Sequence, residues 1–118
     1  MTMRDPTVNE WRHHVERRGG LDVHVIEVPL EFISDRDLEE FERLVKRNLH
    51  EGTQIRVDCR RVQHINSTAL GAIISAYTRA QQLGGAVKLD ASGNTYVRGL
   101  LKRTRLDMLE DSDEGPAT

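Results

Sequence analysis

Two hydroxyl side chains, Ser67 and Thr68, stand at the seam between the polar stretch Gln63-His64-Ile65-Asn66 and a run from Ala69 to Tyr77 whose apolar residues recur at helical spacing. Hydroxyls placed there can attack a substrate, cap a helix, or accept a phosphoryl group. Attack needs a base, an orienting third group and an oxyanion hole. His64 lies three residues before Ser67, but no G-x-S-x-G elbow surrounds the serine, so a Ser-His hydrolase is not expected. The first turn of a helix presents unpaired backbone N–H groups and the positive end of the macrodipole. Such a turn favours a hydroxyl or amide cap and accommodates an added phosphate. On the residues alone, Asn66 or Ser67 reads as the cap of the helix that follows.

The other reactive side chains offer less. Cys59 is the single cysteine, so it has no internal disulfide partner and no cysteine-rich metal set, and it reads as a small buried side chain in a reducing compartment. His13 and His14 are adjacent in an expected strand and point to opposite faces, a poor geometry for joint metal ligation. Arg98, Lys102 and Arg105 recur at helical spacing and read as a basic, solvated stripe. Nucleic-acid binding would call for more basic surface and interleaved aromatics. With no Gly-rich phosphate loop, metal cluster or activated nucleophile in the sequence, the expectation is a protein without enzymatic activity, cofactor or metal.

The elements that must position Ser67 can be read from periodicity. Trp11, His13 and Val15 alternate with charged residues, Gly19-Gly20 offers a tight turn, and Leu21, Val23, Val25 and Val28 follow, predicting a β-hairpin. Ser34 opens an S-D-R-D cap for a helix carrying Leu38, Phe41, Leu44, Val45 and Leu49, with Gly52 expected at its end. Ile55, Val57 and Cys59 alternate with Gln54, Arg56 and Asp58, a strand with one face toward the core. Leu70, Ile73, Ile74 and Tyr77 form the apolar stripe of a second helix, which Gly84-Gly85 breaks. Val87 and Leu89 mark a further strand. From Asn94, Val97, Leu100 and Leu101 predict a third helix, and Leu106, Met108 and Leu109 an edge strand or terminal packing segment.

At 118 residues without a long Pro/Gly/Ser linker, the chain is expected to form one domain, with a core from about 9 to 110 and a disordered acidic tail. The formal net charge of -2 gives no general pull toward nucleic acid or membrane. No leader-like apolar region opens the sequence and no apolar run approaches the ~20 residues that cross a bilayer, so a cytoplasmic location is expected.

The stretch Asp58-Cys-Arg-Arg-Val-Gln-His-Ile-Asn-Ser-Thr-Ala-Leu-Gly71 resembles the signature of the anti-sigma factor antagonists, the STAS-domain family, in which a strand ending in Asp leads to D-S-[ST]-G-L-G. Leu30-Glu31 sits where that family has Leu-Asp before its first helix. Gly84-Gly85 with Val87 and Leu89 resembles its G-G-x-[VL]-x-[VL] strand entry, and Val97-Arg98, Leu101 and Thr104-Arg105-Leu106 its closing V-R-x-x-[LF]-x-x-T-G-L. The chain departs from the pattern where Asn66 stands for an Asp, Ala69 for a Gly, Val28-Pro29 for a Gly-Glu and Arg105 for a Gly.

The resemblance implies an α/β fold, a STAS-like mixed sheet of four or five strands with three main helices packed against it. It also implies a binding module that is switched by phosphorylation. Ser67 is then the phosphoacceptor, with Thr68 the second choice, and Glu31, Asn66, Ser67, Thr68, Ala69 and Leu70 are partner-binding. The implied partners are an anti-sigma factor that is also a serine kinase, which brings its own nucleotide, and a serine phosphatase that reverses the modification. The alternative is a non-phosphorylated STAS scaffold subunit of a larger signalling or transport complex.

Overall fold

The computed structural model describes residues 9–111. Strands β1 (Arg12–Arg18) and β2 (Leu21–Glu27) form the expected hairpin, closed by Gly19 at φ 58 and Gly20 at φ 85. Both turn residues occupy the left-handed region that a two-residue hairpin loop requires, which is why two glycines stand there. The chain continues through β3 (Glu31–Phe32), α1 (Asp35–Asn48), β4 (Gln54–Asp58), β5 (His64–Ile65), α2 (Ser67–Gln82), β6 (Ala86–Asp90) and α3 (Thr95–Arg103), ending in a short 3-10 turn at Asp107–Leu109.

The main sheet has the order β1-β2-β4-β6, antiparallel at β1/β2 and parallel at β2/β4 and β4/β6. It is the mixed sheet expected from the alternation of strands and helices. The pair β3/β5 forms a separate two-stranded parallel sheet.

Register explains the core. Ile26, Val57 and Leu89 lie in one row across the sheet, and Ile55 and Val87 in the next. Phe41, Leu44 and Val45 of α1 and Ile73, Ala76 and Ala80 of α2 join these rows in one buried cluster. Within α2 the stripe is narrower than its apolar spacing predicts: Leu70 and Ile73 are buried, Ile74 and Tyr77 only half-buried, and Ala69, Ala76 and Ala80 complete the buried face. Alanines there let α2 approach the sheet closely.

The opposite face holds a surprise for a strand read as apolar-in, polar-out. Arg56, Asp58 and Asp90 are all buried, at 6%, 8% and 9% exposure. Glu16 pairs with Val23, two residues from the Val25 that pairs with Arg56, so its side chain shares their face. Glu16 accepts from Arg56 at 2.8 Å, Asp90 lies 4.0 Å from the Arg56 Nε, and Arg60 grips Asp58 at 2.9 Å. His14 stands between Glu16 at 2.9 Å and Glu27 at 3.0 Å. The buried polar face is tolerable because its charges alternate in sign.

Other expectations need correction. Helix α1 ends at Asn48, with Leu49 as its C-cap, so Gly52 lies in the following turn, where its N–H donates to the Leu83 carbonyl at 2.8 Å. The segment at Leu106–Leu109 is a 3-10 turn rather than a strand. Glu110 and Asp111, read as the start of the acidic tail, are part of the fold: Glu110 bridges to Leu89, and the Asp111 N–H donates to the Leu89 carbonyl at 2.7 Å. The remainder of that tail, 112–118, lies outside the described residues. Arg98, Lys102 and Arg105 are exposed, as a solvated face requires, but they do not share one helix. Arg98 pairs with Glu110 at 2.9 Å, and Arg105 lies beyond α3 at φ 60, in the left-handed residue of a Schellman ending whose 6→1 bond runs from the Leu106 N–H to the Leu101 carbonyl.

Candidate functional site

The Ser67 turn is built from three directions. From behind, β5 pairs with β3, Glu31 opposite His64 and Phe32 opposite Ile65, so the start of α2 is set beside the start of α1. From within, Asn66 is the N-cap: its Oδ1 accepts from the Ala69 N–H at 2.9 Å. Across the turn, the Asn66 Nδ2 donates to the Ile33 carbonyl at 3.0 Å. An amide performs both bonds because it carries an acceptor and a donor; a carboxylate would make the first and lack the second. Of the two cap candidates read from the sequence, Asn66 is the one used, and Ser67 is the first helical residue.

Ser67 and Thr68 are both exposed. With Ala69 served by Asn66, the N–H groups of Ser67 and Thr68 have no acceptor among the described residues. The first turn of α2 contains no acidic side chain. The local chemistry is therefore an open, electropositive helix start with a hydroxyl at its lip.

The other residues read as part of the site divide into two sets. Glu31 is partly exposed and faces His64 at 3.8 Å, so the turn presents Glu31, Asn66, Ser67 and Thr68 on one surface. Ala69 and Leu70 point the other way, 2% and 6% exposed, and lie in the core. A partner approaching this turn meets their neighbours; the helical period turns these two side chains under the sheet. His64 is directed at Glu31, 3.8 Å away, and makes no hydrogen bond to Ser67 among the described residues. His13 and His14 do lie on opposite faces, His13 against the His24 ring and His14 against the two carboxylates. No group of three or more metal-ligating side chains occurs among the described residues.

Sequence reasoning missed Ile33, 45% exposed beside the turn. Its N–H donates to Asp37 at 3.4 Å and its carbonyl accepts from Asn66, so an exposed apolar side chain is held on a fixed backbone. Its signal was an apolar residue immediately before a helix cap. A cleft of ≈ 620 Å³ lies on the other flank, lined in part by Arg60, Arg61, Asn94 and Tyr96. Burial opposes ionisation of Asp58 beneath it, but hydrogen bonds from the Arg60 side chain and N–H outweigh burial and hold its carboxyl below the usual range. Burial pushes the Cys59 thiol well above its ordinary value, so the small buried cysteine read from the sequence is a neutral thiol.

The STAS domain family model matches residues 15–112, and the chain belongs to that family. Among solved structures the chain is similar to an anti-sigma-factor antagonist (STAS) domain protein from Planctomyces limnophilus, at 16% identity and a TM-score of 0.64, covering 87% of this chain and 93% of that one. It is also similar to the Bacillus cell fate determinant SpoIIAA in its phosphorylated form, at 14% identity and a TM-score of 0.60, covering 90% of this chain and 96% of that one. At these identities the likeness establishes the fold. No curated protein matches the chain. No helix among the described residues is long and apolar enough to cross a membrane.

Proposed function

We propose that this STAS domain is an anti-sigma factor antagonist that binds an anti-sigma factor with serine kinase activity and is released by phosphorylation of Ser67. The observation that carries the reading is the exposed Ser67 hydroxyl at the first position of α2, beside two backbone N–H groups with no acceptor among the described residues. A phosphate there adds about -1.5 to -2 charge, and the free N–H groups and helix dipole can receive it, so the fold survives modification. The interface does not. A partner seated over Ser67, Thr68, Asn66 and Ile33 would have to desolvate an unmatched dianion, a cost of several kcal/mol, and each ~1.4 kcal/mol is tenfold in affinity. The kinase supplies nucleotide and catalytic groups, a serine phosphatase restores the hydroxyl, and the antagonist acts by binding alone, in the cytoplasm where a sigma factor works.

Intact-mass spectrometry of protein from its own cells tests the modification, with one phosphate expected at Ser67 in wild type and none in Ser67→Ala. Affinity capture of the unmodified chain's partners, followed by calorimetry with the captured anti-sigma factor, tests the switch: Ser67→Glu should bind at least ~10-fold more weakly than wild type. Equal affinity, with no phosphate found at Ser67 or Thr68, would favour the scaffold-subunit alternative.

A further inference from the structure

Ile65 immediately precedes the Asn66 cap, and β5 has a partner on one side only. The Ile65 N–H finds its acceptor 31 residues away, in the phenol oxygen of Tyr96 at 3.1 Å, and the same oxygen lies 3.4 Å from the Ile65 carbonyl. One phenol thus brackets residue Ile65, from which the Ser67 turn departs.

Tyr96 is itself fixed. It occupies the first turn of α3, capped by Asn94, whose Oδ1 accepts from the Val97 N–H at 3.0 Å. The Asn94 Nδ2 donates to the carbonyls of Cys59 at 2.9 Å and Val62 at 2.8 Å, and Asn94 is 8% exposed. The start of α3 therefore grips the connection between β4 and β5 at both ends, through Asn94 at 59–62 and through Tyr96 at 65. The Tyr96 side chain stays partly exposed at the rim of the cleft that Arg60 and Arg61 help to line, where burial alone would not demand a tyrosine.

We infer that Tyr96 is a positioning residue for the Ser67 turn: its hydroxyl holds the Ile65 peptide, and through it sets where Asn66 and Ser67 are presented. The inference rests on Ser67 being the phosphoacceptor for its consequence, and on the hydrogen bonds above for its geometry. Tyr96→Phe removes one oxygen and keeps the ring, so the helix and its packing remain while a backbone N–H loses its acceptor.

The test uses the full chain, isotope-labelled, as wild type, Tyr96→Phe and the control Tyr77→Phe, whose hydroxyl accepts only from the exposed Gln81 side chain at 3.0 Å. In Tyr96→Phe, amide exchange at Ile65 should accelerate at least ~10-fold and at Ala69, which reports the Asn66 cap, by a smaller factor, with Val57 and Leu89 unchanged. The control should leave all four amides as in wild type. Unchanged exchange at Ile65, or equal acceleration at Val57 and Leu89, would overturn the inference.

A second arm measures phosphate uptake at Ser67 in an ATP-supplemented extract of the protein's own cells. The initial rate for Tyr96→Phe should fall several-fold at unchanged unfolding midpoint, and equal rates would overturn the positioning role. If wild type takes up no phosphate, the switch reading falls, and the exchange rates alone decide whether Tyr96 positions the turn.

Discussion

Helices α1 and α2 each leave one strand of the same two-stranded sheet and each begin with a side-chain cap, yet one start carries acidic side chains and the other none. At α1, Ser34 and Asp37 form a reciprocal capping box, and the Asp37 carboxylate collects four donors: Asn9 and Trp11 side chains at 3.1 and 3.2 Å, and the N–H groups of Ile33 and Ser34 at 3.4 and 3.3 Å. At α2 the third position is Ala69, the cap is a neutral amide, and no acid occupies the first turn. Acids Asp35 and Asp37 offset the positive end of the first helix, although its Asp35 and Arg36 N–H groups, like those of Ser67 and Thr68, have no acceptor among the described residues. The second has room for an anion, and Ser67 is the side chain that would carry it.

The largest contrast is in stability. Asp37→Ala strands four donors and should cost about 3–5 kcal/mol in denaturant unfolding, whereas Ser67→Ala should stay within about 0.5 kcal/mol of wild type. Comparable losses in the two variants would break the distinction between an acid-bearing and an acid-free start.

Next comes the cap. Asn66→Ala should cost about 1–2 kcal/mol, while Asn66→Asp keeps the bond from Ala69 and forfeits the one to the Ile33 carbonyl, so its loss should be smaller. Differential unfolding of the two variants separates the cap from the cross-link. An aspartate as costly as alanine would show that the bond to Ile33 matters more than the cap.

Acid should act elsewhere first. The Asp58 carboxyl is held below its ordinary value, by Arg60 against the opposing effect of burial, and Glu16 is held low by its hydrogen bond to His14 and by Arg56. Carboxyls with depressed values contribute stability that is complete above the unfolded carboxylate pKa of about 4 and is lost as pH falls through the folded value. Unfolding midpoints followed below about pH 4 should therefore fall less steeply in Asp58→Asn than in wild type. The α2 start carries no acid in its first turn, so a steep acid response that persists in Asp58→Asn and follows the amides of the Ser67 turn would contradict this assignment.

The smallest effect comes from adding a charge to the acid-free helix start. Thr68→Glu places a carboxylate in the open first turn of α2 and should stabilise the fold by about 0.3–1 kcal/mol at low salt, the gain shrinking as salt is added. A destabilising or salt-independent result would mean that the free N–H groups are not the anion-ready feature described.

Much of this was legible in the chain, and the reasons for the rest are physical. The Gly19-Gly20 turn, the Ser34 cap and the apolar periods of the helices follow from local conformational rules, which act on neighbouring residues and so appear as spacing. The seam before Ala69 identified the start of α2 for the same reason. Arg56 and Asp58 misled because alternation reports which face a side chain takes, and only the ion pairs across the sheet, with Glu16 reaching Arg56 at 2.8 Å and Arg60 holding Asp58 at 2.9 Å, decide that the second face is buried too.

By itself, then, the sequence determined the hairpin, the three helices and strands β4 and β6, the hydroxyl at the head of α2 and the family motifs around it, because each is a property of a few consecutive residues. The tertiary structure alone decided that Asn66 is tied to Ile33 across the turn, that Tyr96 holds the Ile65 peptide from 31 residues away, and that Ala69 and Leu70 face the core while Ser67 and Thr68 face outward. Those are contacts between segments whose separation along the chain carries no periodic signal. They exist only once the β3/β5 pairing and the start of α3 have brought their backbones within hydrogen-bonding reach.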